Sequence, residues 1–276
     1  MGRGRWKIRR WMSLLPALLA LWGLSGAPAR AAEPAPVPCG LGMVDGGFVQ
    51  FANAGRAVVP QGKVRVTYVG HSTYFLETPD GASVATDYNG VHQPRAVPHI
   101  VTMNNRHETH YTDFPDPNIK FVLRGWKPGG GIARHHMRHR DIRVYNLPTN
   151  IFDFGQGPTN RNSVFVFEAA GICFAHLGHL AHFLSKEQVR RLGRIDVLFV
   201  PIDGRSTLSH EEAMHIIGQI KPRLIMPMHF SFGGPENFLA LARTRYPVRI
   251  HQSDSILLNR AGLPEKTEVL FLAGGG

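Results

Sequence analysis

The sequence predicts an α/β protein whose sheets are covered by helices. Three observations carry this. The second half alternates short apolar runs with helix-capping patterns. Those runs are continuous rather than alternating, as strands buried on both faces are. About 245 residues remain after an N-terminal targeting segment, enough for one good core.

Residues 1–31 have a basic start (Arg3, Arg5, Lys7, Arg9, Arg10), the apolar core LLPALLALWGL and the small-residue site Ala29-Arg30-Ala31, and so read as a signal peptide. The expected product is exported, periplasmic or secreted. Arg9-Arg10 leaves the twin-arginine route open beside the ordinary one. No later stretch approaches the roughly eighteen apolar residues of a membrane span. Removing the signal takes away six basic and no acidic residues and lowers the formal charge from +11 to +5. Without long Lys/Arg runs this implies no nucleic-acid partner, and leaves room for a mild preference for anionic small-molecule substrates. Oligomeric state cannot be read from the chain. Of the two cysteines, Cys39 and Cys173 fit no metal or redox spacing. In an oxidising compartment they could pair, but Cys173, inside GICFAHL, reads as a buried free thiol.

A Pro/Gly/Ala-rich stretch, residues 32–61, reads as a loosely held arm before a domain spanning 62–276. The pattern KVRVTYVGHSTYFLETPDGASVATDY predicts strands at Val64 to Val69, Tyr74 to Glu77 and Ser83 to Thr86, with Pro79-Asp80-Gly81 as a hairpin turn. HIVTM, KFVLRG and IRVYNLP add further strands, and SVFVFEAAGICFAHL adds two, broken at Ala170-Gly171. SKEQVRRLG is a helix capped by Ser185, IDVLFVP a buried strand, and SHEEAMHIIGQI a helix capped by Ser209 with Glu211 and Glu212 in its first turn. PRLIMPMHF is a strand, PENFLALARTRY a helix and VRIHQ a last edge strand.

Fifteen histidines, all after residue 70, are the compositional oddity. Several fall where strands should end: His107 and His110 after HIVTM, His176, His179 and His182 in FAHLGHLAH, and His229 after PRLIMPM. Neutral imidazole suits borderline metals, and ligands from separate strand ends can close a tetrahedral site that keeps room for water. Each histidine alone has a plainer structural reading; their recurrence at successive strand ends favours a site.

In order, GHSTYFLETPDGASVATDY, VTMNNRHETH, AHLGHLAH, DVLFVPIDG and PRLIMPMHF resemble the metallo-β-lactamase superfamily, and within it the ascorbate-6-phosphate lactonase-like and phospholipase D-like hydrolases. The resemblance runs from Lys63 to Phe232 and implies a four-layer αββα sandwich. It also implies a metal-dependent hydrolase acting on an ester, lactone or phosphodiester-like substrate. The family's HxHxDH positions fall on Asn105, His107, Thr109 and His110, so two ligands are changed. A further family histidine corresponds to Asn150 or Ile151, the bridging aspartate to His179, and the last ligand to His229.

Two ions about 3.5–4 Å apart need anionic ligands to offset their repulsion, and this set has no carboxylate at those places. The expectation is one divalent ion, zinc ahead of manganese, held by His107, His110, His179 and His229. Three other residues are candidates for the catalytic machinery. Asp87 resembles the family's buried acid that orients a ligand imidazole, or is a turn former before Asn89-Gly90. His71 faces the same rim or caps the next strand. Asp203 is a general base, a missing anionic ligand, or a turn aspartate. His176 and His182 flank His179 and read as structural. ARHHMRHRD, with His135, His136 and His139, reads as a solvated loop between strands, the alternatives being an anion-binding lip or an adventitious metal patch. No nucleophile elbow, phosphate loop or dinucleotide fingerprint is present. A non-catalytic descendant that binds metal or ligand, and a purely structural domain, stay open beside the hydrolase.

Overall fold

The computed structural model describes residues 1, 36–40, 58–151, 160–230 and 234–273. The chain divides into Met1–Ala35 and Pro36–Gly276; residues 2–31 of the expected signal peptide and most of the expected arm lie outside the described residues.

The first sheet is built from β1 (Lys63–Gly70), β2 (Thr73–Glu77), β3 (Ser83–Ala85), β4 (Ile100–Met103) and β5 (Phe121–Arg124). β1, β2 and β3 pair antiparallel through tight turns, whereas β3, β4 and β5 run parallel. The second sheet takes β6 (His136–His139), β7 (Ile142–Thr149), β8 (Asn162–Ala169) and β9 (Ile172–His176) as a meander. It continues into β10 (Val197–Pro201) and β11 (Leu224–Met228), which run parallel to β9. β12 (Val248–His251) is the edge strand, β13 (Ser255–Asn259) returns to the first sheet beside β1, and β14 (Glu268–Leu272) slots between β12 and β11.

The helices form where their caps predict. α1 (Lys186–Leu192) and α2 (His210–Ile220) each begin with a complete capping box, Ser185 with Gln188 and Ser209 with Glu212. α3 is shorter than the sequence suggests, Glu236–Arg243. Buried residues of α2 and α3, among them Ile216, Ile217, Phe238 and Ala242, pack on Val166, Ala175, Leu198 and Ile225 of the second sheet. Between the sheets, Val64, Leu76, Val84 and Ile100 meet Phe165, Phe174, Phe199 and Met226. The sandwich is therefore the expected α/β architecture. Among the described residues, the outer face of the first sheet (Phe75, Val101, Met103) is covered by loop residues Tyr88, Ile119 and Trp126 rather than by a helix.

Three expectations need correction. ARHHMRHRD contains β6, an edge strand paired with β7 from His136–Tyr145 to His139–Ile142, so its alternating exposure comes from the pleat. VRIHQ is an edge but not the last strand: SILLN and EVLFL, left unassigned from sequence, are β13 and β14. Cys39 and Cys173 form a disulfide, with Cα atoms 6.0 Å apart. Both are buried at the face where Cys39 bridges to Gly193, and Arg143 donates to the Val37 carbonyl at 2.7 Å. Residues 36–40 of the arm are thus fastened to β9, a partner 134 residues away that local sequence cannot indicate.

Candidate metal centre

β3, β4, β9, β10 and β11 all deliver their C-terminal ends to one rim of the sandwich, where parallel strands place ligand sites. At three places beside this rim the backbone takes an unusual step. Asp87, just after β3, has φ 45°, His229, just after β11, φ 53°, and His71, in the β1–β2 turn, φ 49°. Left-handed backbone is costly for such residues and collects at functional sites.

His110 is the centre of the arrangement. A turn closed by its N–H on the His107 carbonyl (2.7 Å) drops its ring into the interior, where it is fully buried. Its Nδ1–H donates to Asp87 Oδ2 at 2.6 Å, which fixes the tautomer and leaves the Nε2 lone pair pointing into the cavity. His179 Nδ1 lies 3.0 Å and His229 Nε2 3.1 Å from that Nε2. Two nitrogens on one tetrahedral zinc, each bonded at about 2.0–2.1 Å, lie roughly 3.3 Å apart. The His110–His179 and His110–His229 pairs stand within a few tenths of an ångström of that spacing.

Each of the three is held from behind. Asp87 accepts the Asn104 N–H on its other oxygen at 2.9 Å. His229 turns Nδ1 toward Asp203 Oδ1 at 3.5 Å, and its own N–H donates to the His71 carbonyl at 2.8 Å. The His179 N–H donates to Asn162 Oδ1 at 2.9 Å, and its ring meets the Ser206 backbone. Gly178, at φ 59°, makes the turn before His179 possible, because a Cβ there would lie 2.5 Å from the Asn104 Cβ. The DGRST loop serves two rings at once: Asp203 stands beside His229 and accepts from the Ser206 N–H (2.6 Å) and the Thr207 hydroxyl, which sets the Ser206 backbone against His179.

Electrostatics favour neutral rings. Burial, followed by the neighbouring imidazoles, pushes His110 well below its usual value, His179 down to about 4 and His71 down to about 3. Burial raises Asp87 to about 6, against the pull of His176 and the Asn104 N–H. Burial also pushes Asp203 up, but the His229 ring, the Thr207 hydroxyl and the Ser206 N–H together outweigh it and hold the carboxyl well below the usual range. Among the described residues three buried ring nitrogens have no hydrogen-bond partner: His71 Nε2 and His229 Nδ1 at the rim, and His139 Nε2 on the edge strand β6. Neutral imidazole lone pairs converging with an unpartnered buried nitrogen beside them fit a cation.

The residues singled out from sequence separate clearly. His110, His179 and His229 converge. His107 stays exposed at the mouth, its ring 6.0 Å from His110 and 5.7 Å from His179, with Nδ1 engaged by Thr109 Oγ1 at 2.9 Å. His71 does face the rim, 4.2 Å ring to ring from His229. Asp87 and Asp203 have hydrogen-bond partners on both oxygens, behind the rings they flank, which is the place of positioning residues rather than of a base facing substrate. His176 is structural: its Nε2–H donates to the Ser72 carbonyl at 2.8 Å and its Nδ1 accepts the Gly178 N–H at 3.1 Å. His182 Nε2 accepts the Asn150 N–H at 3.0 Å. Asn104, Asn162, Ser206 and Thr207 were missed, because a single asparagine or hydroxyl at a strand end looks the same whether it caps a turn or fastens a ligand.

A family profile described as the beta-lactamase superfamily domain matches residues 65–229, more than half of the chain. A UPF0173 protein of Pyrococcus abyssi is 28% identical over 185 residues, covering 62% of this chain and 86% of the relative. A UPF0173 metal-dependent hydrolase of Opitutus terrae is 28% identical over 221 residues, covering 68% and 96%. Among solved structures, a metallo-beta-lactamase superfamily protein of Thermotoga maritima superposes with a TM-score of 0.55 at 25% identity, over 75% of this chain and 97% of that one. With the matched segment running from β1 to His229 and enclosing every histidine of the rim, the chain belongs to the beta-lactamase superfamily.

Proposed function

We propose that this protein is a metal-dependent hydrolase, exported to an oxidising compartment, that uses one divalent ion, zinc ahead of manganese, on an ester, lactone or phosphodiester-like substrate. The observation that carries the reading is the convergence of the His179 and His229 nitrogens on His110 Nε2 at 3.0 and 3.1 Å. The relative from Opitutus terrae is named a metal-dependent hydrolase, and zinc-dependent hydrolysis has been put forward for the Thermotoga maritima protein. Export is supported by the Cys39–Cys173 disulfide, a bond that persists in oxidising compartments, and by the signal-like start of the sequence.

His110, His179 and His229 would hold the ion. Bound there, it would supply Lewis acidity and lower the pKa of water from about 15.7 toward about 7. The chain's residues do the rest. Asp87 and Asp203 keep His110 and His229 in one orientation, and the Ser206 backbone does so for His179. At the mouth, His107 has Nδ1 tied to Thr109, which leaves Nε2 to exchange a proton with substrate or leaving group. A single ion, rather than two, is favoured because Asp87 and Asp203 are engaged behind the histidines and the family's bridging aspartate is His179.

The test is elemental analysis of the untagged mature protein, followed by a screen of lactones, carboxylic esters and phosphodiesters with the loaded and chelator-stripped forms. About one zinc per chain with metal-dependent turnover is the expected result. Metal without turnover on any class would favour a binding protein, a reading supported by Asp87 and Asp203 both being engaged behind the rings they flank. A chain that takes up no zinc overturns the proposal.

A further inference from the structure

We propose that His71, from the β1–β2 turn, is a ligand of the bound ion, in the role that the family motif would give to His107. The inference rests on the metal-centre reading above. One ligand atom from each of His71, His110 and His229 lies within 4.8 Å of the others, a grouping that includes neither His107 nor His179, although His179 Nδ1 stands 3.0 Å from His110 Nε2 and His107 makes no such approach. The His71 ring stands 4.2 Å from His229 and 5.7 Å from His110.

Its placement is built rather than incidental. The His71 carbonyl accepts two hydrogen bonds, from the Tyr68 hydroxyl at 3.0 Å and from the N–H of His229 at 2.8 Å. The second bond ties the turn to the very residue beside which the ring lies, so His71 and His229 keep a fixed relation. The left-handed φ of 49° at His71 commits the side chain to this side of the turn. Gly70 before it permits the close approach of His92, since a Cβ would fall 2.4 Å from His92 Nδ1. His92 thereby forms the outer wall, its ring near-parallel to that of His71 at 6.0 Å.

His71 Nε2 is buried and has no hydrogen-bond partner. Leaving a buried polar atom unmet costs the full desolvation of that atom, a cost that an apolar side chain at this turn would avoid. A bound cation supplies the missing partner. The opposite side of the pocket is arranged differently. His107 is exposed and tied to Thr109, Asn105 and Thr109 stand at ligand positions of the resembled motif, a further one falls on Asn150 or Ile151, and Asn150 Oδ1 is engaged by the Asn160 N–H at 3.0 Å. Ligation has shifted inward, toward the first sheet, leaving the mouth with its exposed imidazole for substrate.

The experiment compares zinc binding by the full mature protein with that of His71→Ala, His71→Gln and His107→Ala. It uses chelator competition for affinity and zinc-edge X-ray absorption for the number of imidazoles. Both His71 variants should bind zinc at least about 100-fold more weakly and show one imidazole fewer than wild type, while His107→Ala keeps the imidazole number and stays within about 3-fold in affinity. Circular dichroism checks folding, and the His71→Gln variant keeps the polarity and bulk of the turn. The inference is overturned if a folded His71 variant keeps wild-type affinity and imidazole number, or if the imidazole lost is that of His107. Wild-type protein that takes up no zinc would sink the metal-centre reading itself, an outcome distinct from either.

Discussion

The two sides of the pocket make opposite use of the same residue type. On the inner side, His110 and His229 are buried, each faces a carboxylate, and their ring planes lie 14° apart at 5.0 Å. On the outer side, His107 is exposed and its neighbour in the motif, Thr109, hydrogen-bonds to it instead of offering a carboxylate. The difference teaches that an imidazole becomes a dependable ligand through what stands behind it. Burial keeps it neutral, and an acceptor on the far nitrogen aims the near one. Spacing in the chain supplies neither.

This comparison can be broken most directly at the inner side. His110→Ala and His229→Ala should each weaken zinc by more than about 100-fold, beyond the 10–100-fold typical of losing a partner behind a ligand. Retained affinity, measured by chelator competition, would remove the basis for distinguishing the two sides. Cys39→Ser and Cys173→Ser, far from either side, should each lower unfolding stability by about 2–5 kcal/mol, read by denaturant titration. Zinc affinity should remain at the wild-type value, and a shift in it would mean that the stapled end controls the rim.

Asp87→Asn keeps an acceptor for His110 but removes the charge, and should cost about 10–100-fold in zinc affinity. Saturating zinc at about 100 times its Kd should stabilise the wild type by about 2.7 kcal/mol, seen as a rise in Tm over the chelated protein. Asp87→Asn should show a correspondingly smaller rise at the same zinc concentration. The smallest effect on metal is expected from His107→Ala and His139→Ala. His107→Ala should lower turnover, by the 10²–10⁴-fold typical of a lost proton-transfer group, with zinc nearly unchanged. His139→Ala, on the edge strand, should alter neither.

Much of the fold was legible because it is locally encoded. Ser185 and Ser209 sit three residues before Gln188 and Glu212, and both capping boxes form. The buried strands VLFVP and LIMPM are continuous apolar runs, and both form as read. β6 was misjudged because its alternation of histidine, methionine and arginine on an edge has the composition of a loop. β14 was missed because only the sheet shows that its place is between β12 and β11, two strands that precede it in the chain.

Within the site, sequence alone points to His110, His179 and His229 because each follows an apolar run, and a run that ends on the rim delivers its next residues there. Asp87 was found through the resemblance. What sequence by itself determined was therefore the elements, the superfamily and the stock of imidazoles. Tertiary structure decided which imidazoles converge at the rim, that Asp203 stands behind His229, that Cys173 is paired and that His71 faces the rim. The physical reason is the same in all four cases. Burial, an acceptor on the far ring nitrogen and a cysteine within bonding reach are properties of residues brought together from places far apart in the chain, 134 positions for the disulfide and 158 for His71 and His229, and no local pattern carries them.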